Sequence, residues 1–419
     1  MSNKPLLIVF EPCFSGHHET LLRQYLRMFC RMDLEVRLLC SKSEIFRGEQ
    51  WMENVLADGR LTTSTVMNGW GQNRRLVMPV RLVLASLSDF LHWLRLRREV
   101  KEMRRRNPDS PILFYFMFLG SKPFFPCIFW NWCLPVPWAA LFSPAWRAPR
   151  SWRYTWAGRC WERLGTAGLR SAWCRHIFCW RGEPHDFLHA NVSVEKIELI
   201  TDSTDISLPA AVPGWLTTLE GNCRDRKVVC LVGAIHPRKG VRAFLKVAEI
   251  LKEEAVCFVI AGEVLWGAFD SGTTRILRDA VECGQAGHGN LFVLDQRIPE
   301  EADFNWLVKW STVCYLAYVG FDGSSNVLSK ASAFGVPVIV SEGTILANAC
   351  RQYNLGWVVD EDNEATIAEA VREAMAAPPD RNALRDFAGY AARQSENALE
   401  IQLTSMVRVL QQGAPSVIR

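Results

Sequence analysis

Two segments in the second half of the chain carry residue types suited to holding a phosphorylated ligand. The first, Gly233-Ala234-Ile235-His236-Pro237-Arg238-Lys239-Gly240, lies between an apolar run and a helical pattern. A loop so placed offers backbone N–H groups and the positive end of the following helix to an anion, and Arg238 or Lys239 adds a full charge. Alone it is equally a plain basic turn. The second runs Gly320-Phe321-Asp322-Gly323-Ser324-Ser325-Asn326-Val327-Leu328-Ser329-Lys330-Ala331 and continues into Gly335-Val336-Pro337-Val338. It joins a small-residue loop, a short helix and a return strand. Near the start, Gly16-His17-His18-Glu19 follows an apolar run. An imidazole with a pKa of about 6.5 exchanges protons at neutral pH, although a polar helix start needs residues of the same kind.

The surrounding pattern shows what must position these residues. Residues 5–10 are apolar, and Leu21, Leu22, Tyr25, Leu26 and Phe29 recur at helical spacing, which reads as strand, turn and helix. Further strands are expected at 35–40, 112–117, 176–180 and 196–201. After Pro209 and Pro213 the rhythm restarts with a strand at 228–232 and a helix over 241–252 whose Phe244, Val247 and Leu251 face inward. Strands at 256–261, 291–294, 313–317 and 336–340 follow. Such alternation predicts an α/β fold with mostly parallel sheets. Three parts are expected: an N-terminal domain over 1–205, a second domain over 226–385, and a C-terminal helix within 391–419 that packs back on the first.

A chain of 419 residues exceeds what one core usually organises, and an apolar share of 49% allows two to be buried. With Lys+Arg 48 against Asp+Glu 44, the balance does not indicate a general nucleic-acid binder. The 14 cysteines are scattered without a Cys-x-x-Cys pair, so reduced thiols in the cytoplasm are expected. The opening apolar run is too short for a signal-peptide core. The stretch 112–146 is broken by Lys122 and five prolines, which argues against a spanning helix.

Charge is unevenly spread. Between Arg95 and Arg175 there are fifteen Lys or Arg against four acidic residues, with Trp93, Trp146, Trp152, Trp156, Trp161 and Trp173 interleaved. Indole rings favour the lipid headgroup zone and guanidinium groups pair with its phosphates, so an anionic membrane surface on the inner face is an expected partner. An aromatic-rich domain core is the competing reading, and RNA binding a further one.

The two glycine-containing segments resemble those of the GT-B glycosyltransferases, closest to the retaining group 1 or family 4-like nucleotide-sugar enzymes. The likeness extends over about residues 226–375 and is looser before. It implies two Rossmann-like domains facing each other across a cleft, and transfer of a sugar from a nucleoside diphosphate sugar to a hydroxyl of a glycan or lipid-linked acceptor. By the same resemblance Gly16, Gly233, Arg238, Lys239, Glu263, Ser324, Ser325, Asn326, Val327 and Lys330 are donor-binding candidates. His17 and Asp322 are the catalytic candidates, His17 as a base in the inverting branches and Asp322 beside the donor sugar. No cofactor is implied and no metal is required, because no Asp-x-Asp pair stands in a suitable loop. Two departures stand out. Ala234 replaces a family arginine, and Lys330 replaces a carboxylate that accepts ribose hydroxyls, which an ammonium cannot do. A catalytically inactive, glycosyltransferase-like scaffold at the membrane therefore stands as the alternative to an enzyme.

Overall fold

The computed structural model describes residues 4–11, 17–41, 50–66, 78–106, 108, 110–119, 136–142, 167–179, 192–223, 226–285, 289–298, 300–321, 323–377 and 384–412. The chain divides into two compact units, one of Met1–Ile200 with Glu400–Arg419 and one of Thr201–Leu399.

The first unit is built on seven strands, β1 (Leu6–Glu11), β2 (Glu35–Cys40), β3 (Leu61–Thr65), β4 (Ile112–Leu119), β5 (Trp138–Phe142), β6 (Cys174–Cys179) and β7 (Ile197–Leu199). Their order is β3-β2-β1-β4-β5-β6-β7, with every pair parallel. β1 is buried along its whole length, including Glu11, as a central parallel strand covered on both faces must be. Leu6, Ile8, Phe10, Phe114, Phe116 and Trp138 form one face, onto which the helix Met78–Arg106 packs Leu96, Val100 and Met103. Glu99 of this helix is buried and lies 2.8 Å from both Arg37 and Arg95. The helix Glu396–Gln412 ends in this unit, where Gln402 donates to Glu198 Oε1 at 2.7 Å and to the Leu199 carbonyl at 2.9 Å. His176 Nε2 lies 3.1 Å from the same carboxylate. Burial pushes the Glu198 carboxyl up, but the His176 and Gln402 contacts together hold it below its ordinary value.

Six strands form the second unit's sheet: β8 (Lys227–Val232), β9 (Val256–Ala261), β10 (Leu291–Leu294), β11 (Val313–Leu316), β12 (Val338–Ser341) and β13 (Gly356–Val359). Their order is β10-β9-β8-β11-β12-β13, again parallel throughout. The side-chain period of two splits β8 between two cores. Val228, Cys230 and Val232 meet Leu216, Val327 and Leu328, while Val229 and Leu231 meet Phe244, Val247 and Ile367.

Three strands escaped the sequence reading. β3 is the edge strand Leu-Thr-Thr-Ser-Thr, mostly polar. β5 lies within the proline-broken apolar stretch, where its five fully buried residues have no alternation to betray them. β13 is four residues long. Trp173 also packs against the first unit's core, and Trp138 is buried in it, so these two rings belong to the interior. The Trp93 side chain and residues Trp146, Trp152, Trp156 and Trp161 lie outside the described residues. No described helix is long and apolar enough to cross a membrane.

Candidate functional site

In an open parallel sheet, loops at the carboxyl ends of two neighbouring strands diverge where the strand order reverses, leaving a crevice suited to a ligand. In the second unit the reversal falls between β8 and β11. The Gly233–Gly240 loop leaves β8 there, and Tyr318 to Ser325 leaves β11.

The first loop is held from two sides. Ile235 pairs with Val264: the Ile235 N–H donates to the Glu263 carbonyl at 2.9 Å, and the Leu265 N–H returns to the Ile235 carbonyl at 2.9 Å. Glu263 is thereby set beside the loop with its side chain exposed. A short turn, Pro237–Lys239, then leads into the helix Val241–Ile250 through Gly240, whose φ of 70° is left-handed. A Cβ at Gly240 would stand 2.2 Å from the Ala317 carbonyl oxygen, so only glycine lets the loop lie against the end of β11.

This close approach brings Lys239 across the reversal point. Its ammonium donates to the Val232 carbonyl at 3.0 Å, at the end of β8, and to the Tyr318 hydroxyl at 3.0 Å, just beyond β11. It also lies 4.6 Å from the centre of the Tyr318 ring. Among the described residues, two of its three N–H groups find acceptors, and the third is left over. Arg238 is exposed, lies over the Phe321 ring at 5.8 Å, and has its carbonyl bound by the Val319 N–H at 2.9 Å. Burial, with the charges of Lys239 and Arg238, holds the half-buried His236 imidazole below its ordinary pKa. With burial, the positive charges of Lys239 and Arg238 thus make this histidine resist protonation.

On the other side of the crevice, Ser325 caps the helix Asn326–Ala333 in extended conformation, and the amides of Asn326 and Val327 open its first turn. Ser324 is half-buried and Ser325 buried. Gly320 N–H reaches Glu361 Oε1 at 3.4 Å, placing that carboxylate at the same edge. Asp322 and Gly16 lie outside the described residues, as does the side chain of His17, whose backbone opens the helix His17–Arg31. The structure thus gathers Gly233, Arg238, Lys239, Glu263, Ser324, Ser325, Asn326 and Val327 at one edge of one sheet.

Lys330 is placed differently. It is 0% exposed, and its ammonium donates to the Asp205 carbonyl at 2.6 Å and to Asn305 Oδ1, and pairs with Glu301 Oε1 at 2.6 Å. All three N–H groups are consumed. A direct contact from this ammonium to a donor, as the resemblance implied, has no hydrogen left to make it. Burial is the largest influence on its pKa and lowers it, with Glu301 opposing. Asn305 is buried too and donates to the Ser207 carbonyl at 2.8 Å, so the pair fixes the stretch 205–207 against this unit.

Tyr318, His236 and Glu301 were not singled out from the sequence. Tyr318 follows a run of β-strand residues and reads as strand; only its position one turn from the small-residue loop hints at a role. Among the described residues, no three His, Cys, Asp or Glu side chains gather as metal ligands.

The family described as Glycosyl transferases group 1 matches residues 226–377. Among curated proteins none matches the chain. Solved structures do. Anabaena Alr3699/HepE in complex with UDP is 12% identical over 96% of this chain and 99% of that one, with a TM-score of 0.63. The E. coli trehalose-6-phosphate structure bound with UDP-2-fluoro glucose is 12% identical over 97% and 99%, at 0.65. Sucrose-phosphate synthase from Thermosynechococcus elongatus is 14% identical over 98% and 100%, at 0.63. At such identities the likeness is one of fold, and that fold is GT-B, with two Rossmann-like units.

Proposed function

From the match of residues 226–377 to the family described as Glycosyl transferases group 1, we propose that this chain is an enzyme that transfers a glycosyl group from a uridine diphosphate sugar to an acceptor hydroxyl. The observation that carries the reading is the Lys239 ammonium, fixed between the ends of β8 and β11 with one N–H to spare. As the bond to the anomeric carbon breaks, negative charge grows on the departing diphosphate. A cation and helix-terminal amides already in position stabilise that charge without reorganising. Lys239 supplies the central charge, Arg238 the outer one, and the Asn326 and Val327 amides the neutral donors. Gly233 lets the phosphates approach the backbone, while Glu263, Ser324 and Ser325 line the same edge. Asp322 acts beside the donor sugar, Gly16 contributes to donor binding, and His17 serves the acceptor side. UDP in the related structures supports the choice of base.

With cationic side chains meeting the diphosphate, no metal is needed for charge neutralisation in this scheme. The test is turnover of UDP-sugars by the Lys239→Ala variant. Undiminished activity with every donor the wild type accepts would end the role given to Lys239, whereas no turnover by the wild type with any donor would leave the scaffold reading in its place.

The acceptor is a glycan or lipid-linked molecule reached at the inner face of the membrane. One feature of the first unit supports this. On the helix Met78–Arg106, Arg97, Arg98, Lys101, Arg104 and Arg105 are all exposed, opposite buried Leu96, Val100 and Met103. Their spacing places all five on one face, a basic stripe of the kind that binds anionic headgroups. Flotation with vesicles containing phosphatidylserine at low salt tests it. Protein that stays at the bottom of the gradient removes the membrane from the scheme.

A further inference from the structure

The network around Lys330 carries one inference about how the donor is recognised, and it rests on the nucleotide reading above. A fully buried ammonium is tolerated only when its hydrogens are matched by acceptors and its charge by a partner. Lys330 meets both conditions, and the partner is Glu301. Glu301 is the first residue of the helix Glu301–Trp310, which follows β10. In a parallel sheet the element after a strand begins at that strand's carboxyl end. Glu301 therefore stands at the edge that holds the Lys239 loop and the Asn326–Val327 turn. Its side chain is 49% exposed although one oxygen is bound by a residue with no exposure at all.

A carboxylate anchored from beneath and open from above is an acceptor with fixed direction. It has nothing to donate, and the anion-binding part of the crevice is already supplied with cations, so its natural ligand is a pair of hydroxyls. A ribonucleoside diphosphate carries such a pair, the cis 2′- and 3′-hydroxyls, whatever sugar is attached to its far phosphate. We propose that Glu301 accepts hydrogen bonds from the ribose hydroxyls of the donor nucleotide, and that Lys330 is a positioning residue that holds Glu301 for this purpose.

The chain would then select ribonucleotides through a carboxylate carried on one helix and steadied by a cation on another. Removing Lys330 would impair ribose recognition without any contact between Lys330 and the ligand.

The test is calorimetric titration of the full chain with UDP and with 2′,3′-dideoxy-UDP, for wild type, Glu301→Gln and Glu301→Asp. The wild type is expected to bind the dideoxy compound about tenfold more weakly or worse, as for a lost hydrogen bond to a charged group. Glu301→Gln should bind the two within about threefold of each other, because the lost preference belongs to the carboxylate. Glu301→Asp keeps a negative charge for Lys330 while withdrawing the acceptor by one methylene. It should therefore lose most of the preference even if the amide variant fails to fold. Equal affinity of wild type for both compounds, or full preference retained by the folded variants, overturns the inference and leaves the nucleotide reading standing. Failure of wild type to bind UDP at all overturns both.

Discussion

Lys239 and Lys330 sit in the same unit, on neighbouring elements, and their surroundings differ in one decisive respect. Lys239 spends two N–H groups on the ends of β8 and β11 and keeps one. Lys330 spends all three, on Asp205, Asn305 and Glu301. The first is held in place but unfinished, a cation waiting for an oxygen. The second is complete. From the sequence both were donor-binding candidates; what separates them is the number of hydrogens left over, which no motif records.

If that contrast is right, the two lysines should fail in different ways when removed. Lys330→Ala leaves half-exposed Glu301 without its cation and the buried Asn305 Oδ1 without this donor, and should cost about 1–3 kcal/mol of stability, read as a fall in the urea midpoint. Lys239→Ala should change stability by about 1 kcal/mol at most, since both its partners are neutral groups and Lys239 itself is only half-buried, so water can take its place. Equal losses of stability would erase the distinction.

Gly240 sharpens the comparison, because it is what brings Lys239 to β11. Gly240→Ala meets both a left-handed φ and a carbonyl at 2.2 Å, and should cost at least about 2 kcal/mol as well as weakening UDP binding. A variant of wild-type stability would mean the loop is not pinned as described.

A smaller effect concerns pH. The His236 pKa is depressed in the folded chain, by burial first and then by Lys239 and Arg238. As pH falls below about 6.5, the unfolded chain takes up this proton before the folded one, so the contribution to stability is present above that value and is lost below it. A bound diphosphate offsets the nearby positive charge and raises the pKa. UDP affinity should therefore rise a few-fold from about pH 7.5 to about pH 6, beyond any change from protonation of the free nucleotide, and the excess should vanish in His236→Gln. An unchanged excess in that variant would place the titration elsewhere.

Much of the fold was legible because parallel strands buried on both faces are continuous apolar runs, as in β1, β8 and β9, and because Gly233 and Gly240 punctuate the loop between strand and helix. The edge strand β3 and the short β13 lacked that signal. Lys239 was readable for a local reason: the loop that carries it sets its place. Lys330 was not, because its partners come from a helix starting at Glu301 and from the stretch around Asp205, both distant in sequence. A helix pattern shows that a residue points inward without showing what waits there. Glu301 was hidden in the same way, since a carboxylate at a helix start ordinarily serves the helix dipole.

The central claim is that a cation at the β8/β11 reversal receives the donor diphosphate. It is tested most directly by titrating UDP into wild type and Lys239→Ala, with folding of both verified, and measuring transfer from a UDP-sugar in parallel. The account predicts that wild type binds UDP and that the variant loses most of that affinity, with kcat/KM down by about a hundredfold to a thousandfold. A folded Lys239→Ala protein that binds UDP and turns over as wild type does would contradict it.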